Sequence, residues 1–202
     1  SLQESYYHAL EGRPGPSWLD IPFDIQGSKV SKSKLPQFTT PNFEYPEYDI
    51  DSIYSLIKHS KRPVILGGHG VKLSNSKEEF ESLINNFQIP TLLSWSGIDI
   101  LPTNHPYNFG TSGLYGQRCA NFVVQNCDLL IVIGSRLALP QTGYNIEAFA
   151  PNAKIVIVNN DKEELKKHSL RYDIPVYDDC KSFINNLLEF TPPPPKKNWY
   201  KK

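Results

Sequence analysis

The chain has 202 residues, with 21 Lys+Arg against 21 Asp+Glu, 17 Pro, 12 Gly, three Cys and no Met. That length holds one large or two small domains, and zero net charge argues against nucleic acid or an acidic membrane as partner, since either calls for a basic excess. Hydrophobic residues at 39% and aromatics at 12% are too many for a disordered chain.

Residues 1–46 hold many of the prolines and little periodicity. Tyr6, Tyr7 and Leu10 share one face of a short expected helix, which Gly12-Arg13-Pro14-Gly15-Pro16 breaks. Ser17-Trp18-Leu19-Asp20-Ile21 reads as a strand ended by Pro22. Residues 27–46 carry Ser, Lys and the spaced prolines Pro36, Pro41 and Pro46, the composition of an extended linker.

From Tyr48 the pattern changes. Ile50, Ile53, Tyr54 and Ile57 form the apolar stripe of a helix, with Asp49 or Asp51 as its cap. Pro63-Val64-Ile65-Leu66 reads as a buried strand followed by Gly67-Gly68-His69-Gly70. Ser76-Lys77-Glu78-Glu79 has the form of a capping box, and Phe80, Leu83, Ile84 and Phe87 repeat the helical stripe. Residues 89–93 predict a second strand, and residues 94–112 a long loop. Residues 115–126 predict a helix with Cys119, Phe122 and Val123 inward.

Residues 129–133 predict a third strand ending at Gly134, and residues 155–158 a fourth. A charged helix over residues 161–168, a short strand at Ile174-Pro175-Val176, and a last helix marked by Phe183, Ile184, Leu187 and Leu188 complete the series. The strands are solid apolar runs that alternate with helices, which predicts a parallel sheet covered on both faces. Residues 47–190 are therefore expected to form one α/β domain, a Rossmann-like doubly wound parallel sheet. Pro192-Pro193-Pro194-Pro195 should be a stiff polyproline II segment of roughly 12 Å, at ~3.1 Å per residue. The missing methionine and the abrupt ends suggest a piece of a larger protein.

Three loops at the carboxyl ends of these strands could hold a ligand. Gly68-His69-Gly70 could bring backbone N–H groups to a pyrophosphate, or could simply be a tight turn. The full GxGxxG pattern is absent, because position 73 is Leu73. In Gly134-Ser135-Arg136, Ser135 can donate to a phosphate and Arg136 can pair with one. The alternative is an interdomain salt bridge. Asn159 can bond a ribose hydroxyl without charge, while Asn160 or Asp161 could serve only as a cap.

Among the histidines, His59 and His168 fall on charged helix faces. His69 alone lies in a candidate ligand loop, where its role is either ligand contact or backbone shape. No nucleophile elbow or Walker loop is present. Cys119, Cys127 and Cys180 form no CxxC pair, so neither a disulfide framework nor a zinc site is indicated, and a reducing, cytoplasmic setting fits. Cys119 and Cys127 read as ordinary buried thiols. The longest apolar run, residues 129–133, is too short to span a bilayer.

Several blocks together resemble one family. The run from Gly12 to Gln26 resembles the close of the pyrimidine-binding domain of thiamine diphosphate enzymes. The runs from Lys61 to Val71, Ile89 to Pro106 and Gly110 to Gly116 look like the family's central domain. So do the run from Gln125 to Arg136, the run from Phe149 to Lys154, and Pro175-Val176 with Asp179. The acetolactate synthase-like proteins are the nearest subgroup.

The resemblance implies residues 1–26 as the end of a pyrimidine-binding domain, 27–46 as a linker, 47–190 as the central domain, and 191–202 as a linker to a diphosphate-binding domain. It implies thiamine diphosphate and magnesium held by the flanking domains, a transferase or lyase reaction on 2-oxo acids, and a homodimer or homotetramer. The central domain alone would be catalytically inert.

The resemblance further implies FAD or ADP binding in this domain. The matching positions are Gly68, His69, Gly70, Leu114, Tyr115, Gly134, Ser135, Arg136, Asn159, Asn160 and Asp179. The sequence departs from the family at Ala138-Leu139-Pro140 (Asp-Asp-Arg in the family), at Asn159 (acidic) and at Leu114-Tyr115 (Met-His). Gly134-Ser135-Arg136-Leu137 followed by Gln141-Thr142-Gly143-Tyr144-Asn145 looks similar to a subset linked to surface-sugar biosynthesis. Two other readings stay open: a stand-alone nucleotide-binding or structural domain, and a dinucleotide-dependent oxidoreductase.

Overall fold

The computed structural model describes residues 1–31, 33, 35–42, 44–167 and 171–199. The chain divides into two compact units, Ser1–Glu44 and Tyr45–Lys202.

The first unit holds helices α1 (Leu2–Leu10) and α2 (Phe23–Gln26). None of its described residues is buried. The expected strand at residues 17–21 does not form. Its neighbourhood is tied to α1 instead: Ser17 Oγ donates to Ser5 O at 2.7 Å and the Gly15 N–H to Ala9 O at 3.0 Å. Among the described residues no strand lies within the unit to pair with it, and Pro16 and Pro22 bracket it without donors.

In the second unit, α3 (Ile50–His59) starts where Asp49 accepts the Ser52 N–H at 2.9 Å. The chain then runs through β1 (Pro63–Gly67), α4 (Gly70–Leu73), α5 (Lys77–Phe87), β2 (Thr91–Leu93), α6 (Arg118–Asn126), β3 (Leu129–Ile133), α7 (Leu139–Thr142), β4 (Lys154–Asn159), β5 (Ile174–Tyr177) and α8 (Cys180–Leu188). The five strands are parallel, in the order β2-β1-β3-β4-β5. This is an α/β Rossmann-like sheet.

Strand alternation splits the core into two layers. Ile65, Leu93, Ile131, Ile133, Val156, Val158 and Val176 pack with Ile53, Ile57, Phe80, Leu83, Ile84, Phe87, Phe183 and Leu187 from α3, α5 and α8. Val64, Leu66, Leu92, Leu130, Val132, Ile155 and Ile157 pack on the other face with Ala120 and Val124 of α6, and with Phe109, Leu137, Phe149 and Leu165 from loops. All but the first residue of β4, and every residue of β1, β2 and β3, are buried, as a sheet covered on both faces requires.

Several expectations are corrected here. Helix α6 begins at Arg118, because Gln117 Oε1 accepts the Thr111 N–H at 2.6 Å and Asn121 bonds both N–H and C=O of Gly113, closing residues 111–117 into a loop. Its buried side chains are Ala120 and Val124, with Val123 partly buried. Phe122 is exposed, with the Arg118 guanidinium over its ring at 5.4 Å, and Cys119 is exposed.

Ser76 makes no capping bond. Its Oγ donates to Val71 O at 3.1 Å, and Glu79 pairs with Lys181 at 2.7 Å. Residues 161–167 form turns and a 3-10 segment, Glu164–Lys166, rather than a charged helix. Asp161 spends its carboxylate on the N–H groups of Glu163 and Glu164, a local alternative to helix. His168 lies outside the described residues.

The polyproline tail lies against the domain. Tyr54 stacks on Phe190 with ring centroids 4.4 Å apart and donates its O–H to Thr191 O at 2.7 Å. Trp199 joins the second core layer and donates Nε1–H to Pro63 O at 3.2 Å.

Candidate functional site at the carboxyl edge of the sheet

After β1 the chain passes to β2 on one side, and then returns to β3 on the other side of β1. Neighbouring strands thus send their following loops in opposite directions, which opens a crevice at the carboxyl ends of β1 and β3. Register pairs Gly67 with Ile133, so the loops that begin at Gly68 and Gly134 leave the sheet side by side.

These loops interlock. The Gly68 N–H donates to Ile133 O at 2.8 Å, and the Gly70 N–H to Gly134 O at 2.9 Å. A Cβ on Gly68 would stand 2.2 Å from Gly134 O. The glycines serve the contact between the two loops, and both N–H groups are occupied by carbonyls. His69, on the exposed side of the turn, places Nδ1 3.0 Å from Ser96 O.

Ser135 is buried, and its Oγ donates to Gln141 Oε1 at 3.2 Å and accepts the Leu137 N–H at 3.3 Å. Leu137 is buried with φ +48°, a left-handed conformation that costs a branched side chain energy. Arg136 stands between them. Its Nε lies 3.0 Å from Glu164 Oε1, and its side chain is 49% exposed. This ion pair joins the loops after β3 and β4, within one unit.

Asn159 is buried, and its Oδ1 accepts the Asp161 N–H at 2.9 Å, while Asn160 follows it, half-buried. Asp179 caps α8 by accepting the Lys181 N–H at 2.8 Å. Leu114 and Tyr115 are strongly exposed, and the Tyr115 ring meets Trp95 edge-on at 5.7 Å. The candidate positions lie at strand ends, at helix starts or on the loops beside them, with Asn159 closing β4 and Gly70 opening α4. Those after β1 and β3 are in direct contact; Asp179 lies at the far strand, β5.

Sequence reasoning missed four residues here. Thr111 Oγ1, Ser112 Oγ and Gln141 Nε2 are buried and have no hydrogen-bond partner among the described residues. Glu164 is 9% exposed and pairs with both Arg136 and Lys167. In the sequence it reads as one more charge in the helix expected over residues 161–168, and only the close approach of two loops makes it an inward group. Among the described residues, no group of three or more His, Cys, Asp or Glu could hold a metal ion, and no helix is long and apolar enough to cross a membrane.

The sheet order and its crevice define a Rossmann-like α/β domain. Residues 50–187 match the family described as thiamine pyrophosphate enzyme, central domain, and the chain belongs to that family. A probable acetolactate synthase large subunit of Methanocaldococcus jannaschii is 37% identical over 196 residues, covering 93% of this chain and 33% of that protein. The acetolactate synthase isozyme 1 large subunit of Escherichia coli K12 is 32% identical over 203 residues, covering 98% of this chain and 35% of that protein. The acetolactate synthase large subunit of Lactococcus lactis is 31% identical over 192 residues, covering 93% and 33%. The chain spans about a third of the length of the relatives it matches.

Proposed function

We propose that this chain serves as the central domain of a longer, thiamine diphosphate-dependent, acetolactate synthase-like subunit. The observation that carries this reading is the alignment: proteins named as acetolactate synthase large subunits match almost all of the chain with a third of their own length. On this reading residues 1–26 close a pyrimidine-binding domain, 27–46 are a linker, 47–190 are the central domain, and 191–202 lead to a diphosphate-binding domain. The exposure of Trp18 at 92% and Phe23 at 90% supports the first assignment, since such apolar side chains call for a covering surface.

In the whole subunit, thiamine diphosphate with magnesium supplies decarboxylation of a 2-oxo acid and carboligation. This domain holds the flanking catalytic domains in place and contributes no catalytic residue. Assembly is as a homodimer or homotetramer, and three free thiols suit the reducing cytoplasm. The test is the sequence that flanks this chain in the longer protein. A Gly-Asp-Gly magnesium motif with a downstream Asn supports the reading, and a flank without one overturns it.

The same edge of the sheet is proposed to bind a nucleotide, FAD or ADP. The residues fit such a ligand. Arg136 offers half-exposed positive charge, Thr111, Ser112 and Gln141 offer unpartnered polar atoms, and Trp95 and Tyr115 offer ring faces. Ser135 and Arg136 would face phosphate, Asn159 and Asn160 ribose, and Leu114 and Tyr115 the ring system. Gly68, His69, Gly70 and Gly134 would shape the floor, with Asp179 at the rim. Titration of the chain with FAD, ADP and NAD, followed by melting temperature, tests this. A rise with FAD or ADP is expected, and no rise with either overturns it.

A further inference from the structure

We propose that Glu164 is a positioning residue that presents Arg136 to an anionic oxygen group such as a phosphate. This rests on the nucleotide reading above and adds to it the group that aims the charge. A free arginine side chain samples many rotamers, and ordering it costs conformational entropy. Here that ordering is already in place. Glu164 is 9% exposed and its Oε1 holds the Arg136 Nε at 3.0 Å. The side chain of Arg136 nonetheless stays 49% exposed, so engagement through Nε leaves the two Nη amino groups for a second, bidentate partner.

Both loops are held from below. On one side, Ser135 Oγ accepts the Leu137 N–H, and Leu137 is locked in the core at φ +48°. On the other, Asn159 Oδ1 accepts the Asp161 N–H, Asp161 Oδ1 accepts the N–H groups of Glu163 and Glu164, and Tyr172 donates its O–H to Leu165 O. The carboxylate of Glu164 is shared with Lys167. Lys167 thus brings a second cation to the carboxylate that holds Arg136.

The experiment separates aim from charge. Glu164→Gln keeps an oxygen for the Nε–H and removes the negative charge, whereas Glu164→Ala removes both. The unaltered chain, both variants and Arg136→Ala are titrated with ADP and with inorganic pyrophosphate. The Arg136 Nε–H resonance is followed by NMR in the ligand-free state.

Glu164→Ala is expected to weaken ADP binding about tenfold and to expose the Nε–H to rapid exchange. Glu164→Gln is expected to stay within about threefold of the unaltered chain. Equal affinity for the unaltered chain and Glu164→Ala, or equal loss in both Glu164 variants, overturns the proposal alone. Failure of the unaltered chain to bind either probe overturns the nucleotide reading, and this proposal with it.

Discussion

Gly70 donates its backbone N–H to the carbonyl oxygen of Gly134 at 2.9 Å, joining the loops that leave β1 and β3. The approach is possible only without side chains. A Cβ on Gly134 would lie 2.7 Å from Gly70 Cα and 2.8 Å from Cys180 Sγ, and its φ is +66°. Gly134→Ala is therefore expected to destabilise the domain by about 3 kcal/mol, from clash and left-handed strain together. Gly143→Ala is the control, because Gly143 has φ +77° but open space around its Cβ position. It should cost only about 1 kcal/mol. Urea unfolding of both variants checks the difference.

Asp128 anchors the start of β1. Its carboxylate accepts the Ser60 O–H and the N–H groups of Lys61 at 2.9 Å and Arg62 at 2.8 Å. Burial alone would raise its pKa, but these hydrogen bonds, with the Arg62 charge, bring it below the usual 3.8. A carboxylate lowered on folding contributes stability above its unfolded pKa and loses it as pH falls through the folded one. Asp128→Asn should thus lower the urea midpoint at pH 7. The gap to the unaltered chain should narrow as pH falls below 3.8. A gap that stays constant down to pH 2 contradicts this account.

The cysteines should differ sharply in reactivity. Cys119 is exposed, whereas burial pushes the thiols of Cys127 and Cys180 up to about 12. At pH 8 the folded chain should take up one iodoacetamide adduct, at Cys119, and the unfolded chain three. Mass spectrometry after proteolysis reads the positions, and modification of Cys180 in the folded chain would disagree with the structure.

Arg136→Ala is expected to weaken ADP or FAD binding by about 1.5–3 kcal/mol through loss of a charge-assisted contact. Calorimetric titration measures it directly. Unchanged affinity would assign Arg136 to its ion pair with Glu164 alone.

Trp199 ties the tail to the body of the domain through Pro63 O and the second core layer. Trp199→Ala should cost about 1–2 kcal/mol, less than a fully buried tryptophan, because the residue is half-buried. The thermal midpoint reports it, and a midpoint equal to that of the unaltered chain would show the tail to be unattached in solution.

Apolar pattern by itself determined the sheet of the second unit. Five runs, from Pro63-Val64-Ile65-Leu66 to Ile174-Pro175-Val176, were legible as strands; the first four are apolar runs because both of their faces are covered, whereas the edge strand β5 buries only Val176. The stripes of α3, α5 and α8 were legible because a helix on a sheet buries one side. Where sequence reading failed, the deciding partners were near in the chain but were polar or cationic contacts that apolar periodicity does not report. Ser76 caps nothing because Val71 O lies within reach of its hydroxyl. Phe122 faces outward because Arg118 covers it and Ala120 takes the sheet side. The loops after β1 and β3 were legible as a candidate site from glycine and charge. Only the tertiary structure decided that the glycines interlock with one another, and that Arg136 answers to Glu164. Both relations join loops from adjacent strands, and the contact exists only once the sheet has set them side by side.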